Sequence, residues 1–400
     1  MDQRNKLTQT YMPDKKTQGE TYLVGLSGGI KSMVAASLLK IQKHDLIAVT
    51  VLTGLESNEI DSSKVLSCHL TEAKKEAIQA FCRQLGIPHH FVNVMPEFKD
   101  QIVDGWVASK ISGTYPQPCG SCHHLRLQTL FQKMKHFGAK KLVTGHLAKI
   151  YQQEHTGVAY VHTSNDEESD QSGIVSTLPH EILSSLILPL SDLQNKEVLK
   201  LAENFGLNPA GTSLALEGCF QPDEPLMNYL KSMAPPSLVR GGDVSSLDQE
   251  RNFGDHEGVL EHSYAEMYRL DDPKEKLLFV EFNHSDRKIQ LGDESYFMRD
   301  KILLVNCIVS EETQLNAPLK GVIESHDGEY LDCWIHPKTL NAAFIEMEIP
   351  GKFIKGEIST VYRKKGKNSK IYLSGKVSYL PNRPVEEEDK NVKLDYRSDW

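Results

Sequence analysis

The sequence predicts an α/β protein with a parallel, doubly wound sheet in its first half, a small central domain, and a β-rich C-terminal domain. Three features predict this. Apolar strand patterns alternate with helix-period patterns up to Pro209, the signature of a parallel sheet wrapped by helices. The pattern then changes. From about Lys276 onward it gives way to short strand-like runs separated by turn residues.

In order along the chain, TYLVGL is the first strand; it breaks into a Ser-Gly-Gly turn and a helix around MVAASLLKIQ. DLIAVTVLTG is a second strand, followed by a helix around TEAKKEAIQAFCRQLG, and HHFVNVM is a third, leading into the helical FKDQIVDGWVASK. The helix HLRLQTLFQKMKHFG feeds the strand KKLVTGH, and an apolar run at 184–190 precedes the helix NKEVLKLAENFG. Residues 221–300 hold Pro-Pro, Gly-Gly and many charges and read as a small linking domain. The runs KLLFVEFN, KIQLG, KILLVNCIV, KGVIES, YLDCWIH, AAFIEME and IYLSGKVSY read as strands. The expected division is therefore 1–220, 221–300 and 301–400. DEESDQSG at 166–173 reads as an exposed acidic loop, and EEEDK at 386–390 as a solvated, disordered tail.

Composition narrows the class. At 39% hydrophobic and 25% charged residues, the 400-residue chain can bury real cores and is not a disordered protein. No apolar stretch approaches the ~18 residues of a membrane span, and the polar start has no apolar signal core, so a cytoplasmic protein without a membrane partner is expected. A net charge of -9 argues against a general nucleic-acid binder and requires any such binding to be local. The candidate patch is YRKKGKNSK at 362–370, a basic hairpin loop between GEISTVY and IYLSGKVSY that contains Lys364 and Lys365.

Two motifs carry chemistry. In LVGLSGGIKS, Gly28 and Gly29 free the backbone, Ser27 adds a hydroxyl, and the following helix offers unpaired N–H groups to an anion, for which phosphate is the natural guest. Ligands of such sheets bind beyond the carboxyl ends of the strands, where Ser27 and His146 both fall. The second motif is PQPCGSCHH, a C-x-x-C at a helix start, where the dipole favours the thiolate. Seven cysteines without a secretion signal argue for functional use of some rather than a disulfide scaffold. A structural zinc site needs a second pair, and the sequence has no second C-x-x-C or H-x-x-x-H. With Cys219 of LEGCFQ as the remaining candidate, two uses stay open: a redox or persulfide pair, or a three-cysteine iron-sulfur cluster. Cys68, Cys82, Cys307 and Cys333 lie in apolar patterns and read as core.

SGGIKSMVAASLLK, PQPCGSCHHLRL, KKLVTGHLAKI, DQS at 170–172, LILPLSDLQNKEVLKLAENFGL, EGCF at 217–220 and NFGDHEG at 252–258 occur in this order. Together they make the chain resemble the bacterial tRNA-specific 2-thiouridylases over nearly its whole length. The resemblance implies a PP-loop (ATP pyrophosphatase-type) domain, a small central domain and a C-terminal β-barrel. It implies that ATP adenylates the 2-oxygen of the wobble uridine, position 34, which sulfur then replaces. Implied nucleotide contacts are Leu26, Ser27, Gly28, Gly29, Lys31, Ser32, Val51, Gly145 and His146, with Mg2+ as companion ion. Of the catalytic cysteines, Cys219 would carry the persulfide and Cys122 would release it through a disulfide. Alternatively, Cys119, Cys122 and Cys219 would ligate a [4Fe-4S] cluster. Asp170 and Gln171 match a loop that contacts the flipped-out wobble region of tRNA. Implied partners are tRNA and a sulfur donor: a cysteine desulfurase, a relay carrier or free sulfide.

The chain departs from the family pattern at three places. Lys31 stands where members carry the aspartate of SGGxDS, AEMYRL at 265–270 replaces a glycine-rich basic GQRKGL, and LALEGCF lacks the aspartate of DSxGICF. A lysine in the loop brings its own positive charge to the phosphates, where an aspartate would organise magnesium. These departures imply a less basic RNA-contacting surface and point to an alternative: a diverged non-catalytic homologue or pseudoenzyme that binds tRNA or a sulfur carrier.

Overall fold

The computed structural model describes residues 7–9, 20–55, 70–153, 157–207, 224–270, 274–310, 317–339 and 341–379. Cys68, Cys219 and the acidic tail at 386–390 lie outside them. Strand β1 (Leu7–Gln9) precedes β2 (Thr21–Gly25), β3 (Asp45–Leu52), β4 (His89–Asn93), β5 (Lys141–Val143), β6 (Lys149–Gln153), β7 (Ala159–His162) and β8 (Leu186–Ile187). Five of these form a parallel sheet in the order β4-β3-β2-β5-β8, while β1, β6 and β7 form a small antiparallel sheet. The strand order reverses direction between β2 and β5, so the crevice at their carboxyl ends is the topological switch point.

Helices α1 (Ile30–Ile41), α2 (Glu72–Leu85), α3 (Asp104–Ile111), α4 (Pro118–His136), α5 (Ser172–Ser176) and α6 (Asn195–Asn204) accompany this sheet. Alternation along β2 decides which layer each covers. Tyr22 and Val24 face one core with Val34 of α1, Ile78 of α2 and Val198 of α6. Leu23 faces the other, with Trp106 of α3 and Leu127 and Leu130 of α4. Both faces of the sheet are thus covered, as a parallel sheet requires. Local signals agree with these boundaries: Thr71 caps α2 by accepting from the Lys74 N–H, left-handed Gly86 ends it, and Gln194 with Glu197 forms a capping box on α6.

The central region begins with α7 (Glu224–Met233) and builds a four-stranded sheet from β9 (Gly242–Ser246), β10 (Asn252–His256), β11 (Leu278–Asn283) and β12 (Lys288–Gly292). KLLFVEFN and KIQLG, read as strands and lying within the expected 221–300 division, form the β11–β12 hairpin of this sheet. The reason is packing: Phe279, Phe282, Ile289 and Leu291 join Val244, Leu238 and Val259 in a core continuous with α3 and α4. A closed antiparallel barrel follows, from β13 (Met298–Val309), β14 (Leu319–Glu324), β15 (Tyr330–Thr339), β16 (Ala342–Lys352), β17 (Ile358–Tyr362) and β18 (Ile371–Ser378), ordered β13-β16-β15-β14-β17-β18. Its inward positions, among them Ile302, Leu304, Ile323, Ile335, Ile345 and Leu373, are fully buried. Among the described residues no helix is long and apolar enough to cross a membrane.

Two loops differ from simple solvated turns. The basic β17–β18 turn leaves Arg363, Lys364, Lys365 and Lys367 exposed but is clamped to the first domain. Thr163 donates its N–H to the Ser369 carbonyl (2.9 Å) and its hydroxyl to the Gly366 carbonyl (2.8 Å), and Tyr151 donates to Asn368 Oδ1 (3.0 Å). The acidic segment at 166–173 is exposed only at Glu167 and Glu168. Its other carboxylates are structural acceptors. Asp166 takes the N–H of Asn195 (2.7 Å), and Asp170 takes the N–H of Ser164 (2.6 Å) and the hydroxyl of Ser172. Charge content alone suggested an exposed loop because it does not register these caps.

Candidate active site

The Ser-Gly-Gly turn follows β2 and delivers the chain into α1. Gly28 has φ +82°, a conformation that favours glycine, and Gly29 is the N-cap. The turn is tied from within: Ser32 Oγ donates to the Gly29 carbonyl (2.8 Å), the Ser27 N–H donates to Ser32 Oγ (3.3 Å), and the Gly29 N–H donates to Ser27 Oγ (3.3 Å). Neither cap position uses a side chain on the helix start, so the first N–H groups of α1 point at whatever sits there.

A cavity of about 390 Å³ opens at this point, within the range of small-molecule sites. Leu26, Ser27, Lys31 and Ser32 line it from β2 and α1, Val51 from β3, and Gly145 and His146 from the end of β5. These are seven of the nine residues the resemblance implied for the nucleotide; Gly28 and Gly29 lie in the turn itself. Gly145 is present for space. A Cβ there would sit 2.6 Å from the Lys31 carbonyl carbon and 2.8 Å from the Ser32 nitrogen, so only glycine lets the loop after β5 touch the first turn of α1.

Electrostatically the cavity is cationic. Burial pushes the Lys31 ammonium below its ordinary value, and the nearby Asp166 carboxylate partly opposes that. His146 is pushed down to about 4 by burial and by the Lys31 charge, and it bonds Thr144 Oγ1 through Nδ1 (2.8 Å). His123, edge-on to His146 at 4.7 Å, is held well below the usual histidine range, first by burial. Both imidazoles are neutral at pH 7. No carboxylate is among the described residues lining the cavity, which offer Mg2+ only hydroxyl, amide and backbone oxygens.

Helix α4 connects this cavity to a second. Cys119 and Cys122 occupy its first turns; Cys122 is 8% exposed in the core, while Cys119 is half-buried and faces a cleft of about 780 Å³. That cleft lies between domains. Tyr115 and Gly173 line it from the first, Met227 and Glu266 from the central region, and His326 and Thr360 from the barrel. It is acidic, with Glu261, Glu266, Glu324 and Glu357 in its wall. His326 pairs with Glu357 at 2.8 Å, and burial pushes the Glu324 carboxyl up.

Among the described residues no group of three or more His, Cys, Asp or Glu converges to hold a metal. Cys119 and Cys122 are two thiols of the cluster set implied by the sequence, and the third, Cys219, lies outside the described residues. Cys82, Cys307 and Cys333 are buried in cores, their thiols pushed up to about 11, 11 and 12 by burial. The implied tRNA contacts have partners within the fold. Asp170 serves Ser164 and Ser172, Gln171 bridges Leu147 through two hydrogen bonds and lines the smaller cavity, and Lys365 lies over the Tyr330 ring at 5.1 Å.

A family model described as "tRNA methyl transferase HUP domain" matches residues 20–223. The tRNA-specific 2-thiouridylase MnmA of Rickettsia typhi (strain ATCC VR-144 / Wilmington) is 30% identical over 277 residues, which are 69% of this chain and 75% of that protein. The chain belongs to the tRNA-specific 2-thiouridylase family. The MnmA proteins of Clostridioides difficile (strain 630) and Desulfitobacterium hafniense (strain Y51) are 29% and 28% identical, over 74% and 70% of this chain and 82% and 74% of theirs. Sequence reading missed two site members of this chain, His123 and Arg126, which line the smaller cavity from α4. Their spacing from Cys119, four and seven residues, is the signal that was available: in a helix it places all three on one face.

Proposed function

We propose that the protein is an ATP-dependent tRNA-uridine 2-sulfurtransferase acting at the wobble position. One arrangement carries this reading: a single helix presents Cys119 to the cleft and, one and two turns further along the same face, His123 and Arg126 to the cavity at the phosphate loop. Four residues of helix span ~6 Å, so a group activated in the cavity lies within a side chain's reach of the sulfur chemistry.

In this reading, ATP occupies the cavity with its phosphates at Ser27, Gly28, Gly29 and Lys31, and the flipped uracil enters from the cleft. Attack of its 2-oxygen on the α-phosphorus releases pyrophosphate. A persulfide on Cys219, loaded by a sulfur donor, adds to the activated carbon and AMP departs. The Cys122 thiolate then attacks the Cys219 sulfur, freeing 2-thiouridine and leaving a disulfide to be reduced. Magnesium would reach this site bound to the phosphates, since no carboxylate is among the described residues lining it. The exposed cations of the β17–β18 turn, Lys364 and Lys365 among them, are the surface for the tRNA backbone.

The test is mass spectrometry of tRNA nucleosides after incubation with ATP and a sulfur source. The natural protein should form 2-thiouridine at the wobble position, and Cys122→Ser should form none while remaining folded. Full activity of Cys122→Ser would end the mechanism. The lysine in place of a lining carboxylate favours a second reading, a homologue that binds tRNA and nucleotide without turnover; failure of tRNA to stimulate ATP consumption would select it.

A further inference from the structure

We propose that Arg126 is a second phosphate-holding cation of the nucleotide cavity, working from the face of the sheet opposite Lys31. This rests on the nucleotide reading above and adds a residue that neither the phosphate-loop motif nor the resemblance assigned.

Placement comes first. Lys31 belongs to α1, whose apolar side packs on one face of the parallel sheet; Arg126 belongs to α4, whose apolar side packs on the other. Both line the cavity at the carboxyl edge between those layers. A ligand there is bracketed by two cations on separate rigid elements. Orientation comes second. Arg126 Nη2 donates to Thr53 Oγ1 at 2.6 Å, and Thr53, just past the end of β3, is 2% exposed. That bond fixes the guanidinium plane before a ligand arrives, which lowers the entropy lost on binding. Charge comes third. His123 and His146 are neutral, and among the described residues that line the cavity Lys31 and Arg126 are charged and no carboxylate is present. An anion is the complementary guest, and a guanidinium recognises phosphate oxygens through paired N–H donors.

The experiment is calorimetric titration of ATP, AMP and adenosine into the natural chain, Arg126→Gln and Arg126→Lys. Arg126→Gln should weaken ATP by about 10- to 100-fold and leave adenosine within about twofold, because a charged hydrogen bond to phosphate is lost and nothing toward the base or ribose is. Arg126→Lys should recover part of the ATP affinity through its charge. A structural role would instead lower ATP and adenosine together. Equal losses for the two ligands, or no loss for ATP, overturn the assignment of Arg126. A natural chain that binds none of the three ligands overturns the nucleotide reading itself, which separates the two failures.

Discussion

Substitution of Gly145 by alanine tests how closely the phosphate loop is built, because the obstruction consists of backbone. The added Cβ would lie 2.6, 2.7 and 2.8 Å from the Lys31 carbonyl carbon, the Lys31 oxygen and the Ser32 nitrogen. Comfortable carbon contacts need ~3.5–4.0 Å, so either the 144–146 loop or the first turn of α1 must retreat by roughly 1 Å. No flexible side chain can absorb the shift. Overpacking of this kind costs ~1–3 kcal/mol. Where the strain falls on the ligand-bound loop, that corresponds to about 5- to 150-fold weaker ATP binding. Calorimetric titration with ATP, paired with a denaturant melt, reads both effects. Gly86→Ala is the control: at φ +63° it strains the end of α2 by ~1 kcal/mol but meets nothing within 4 Å and lies away from the cavity. Gly145→Ala with natural ATP affinity, or with a loss no larger than that of Gly86→Ala, would refute the claim that this contact shapes the site.

Three further outcomes are expected. Lys31→Ala should weaken ATP binding about tenfold or more with or without magnesium, while Lys31→Asp, placing a carboxylate near Asp166, should make binding depend strongly on magnesium; ATP titrations with and without the ion decide. Lys110, fully buried with its ammonium bonded to the His262 carbonyl and to Ser263 Oγ (3.2 Å), is pushed down to about 8 by burial. The unfolded chain keeps that proton up to about 10.5, so stability should rise between pH 8 and 10.5 by on the order of 3 kcal/mol, and urea melts should show Lys110→Met lacking that rise. Finally, Lys364→Ala with Lys365→Ala should reduce the slope of log affinity for tRNA against log salt by roughly 1.4, two contacts at ~0.7 each; an unchanged slope would move the RNA surface elsewhere.

Much of the fold was legible because its signals are local. The turn after β2, the 3.6-residue period of α4 and the period-2 runs of the barrel each depend on a few adjacent residues. The β11–β12 hairpin was legible as strands, but its pairing with β9 was not, since that pairing is chosen by contacts between residues such as Leu291 and Val244, which are far apart in the chain. The site divides the same way. Ser27, Lys31 and Cys119 sit in motifs whose spacing is itself the chemistry. Arg126 sits in an ordinary helical HLRLQ, and its meaning comes from Thr53, which lies 73 residues earlier in the chain. Asp166 and Asp170 mislead for the opposite reason: their charge is visible in the sequence, while the N–H groups that occupy them are visible only in the fold.

A net charge of -9 and an acidic cleft at Cys119 run against the proposed handling of RNA. The charges become consistent once phosphates and base are treated separately. Two unit charges 4 Å apart interact by ~1 kcal/mol in water and ~4 kcal/mol at the effective dielectric of a protein surface, so an acidic wall disfavours a phosphodiester in the cleft. A neutral uracil pays no such penalty. Part of the acidity is also answered internally, by His326 against Glu357 and by the Tyr362 hydroxyl, which donates to Glu324 at 3.3 Å. Under the proposed function the cleft therefore admits a base that has left its stack and keeps the backbone outside, near the exposed cations of the β17–β18 turn. The cavity further along α4, lined by Lys31 and Arg126, has the reverse polarity and in this reading takes the nucleotide's phosphates. In this reading the helix that lines one chamber with Cys119 and the other with Arg126 would sort the two substrates by charge.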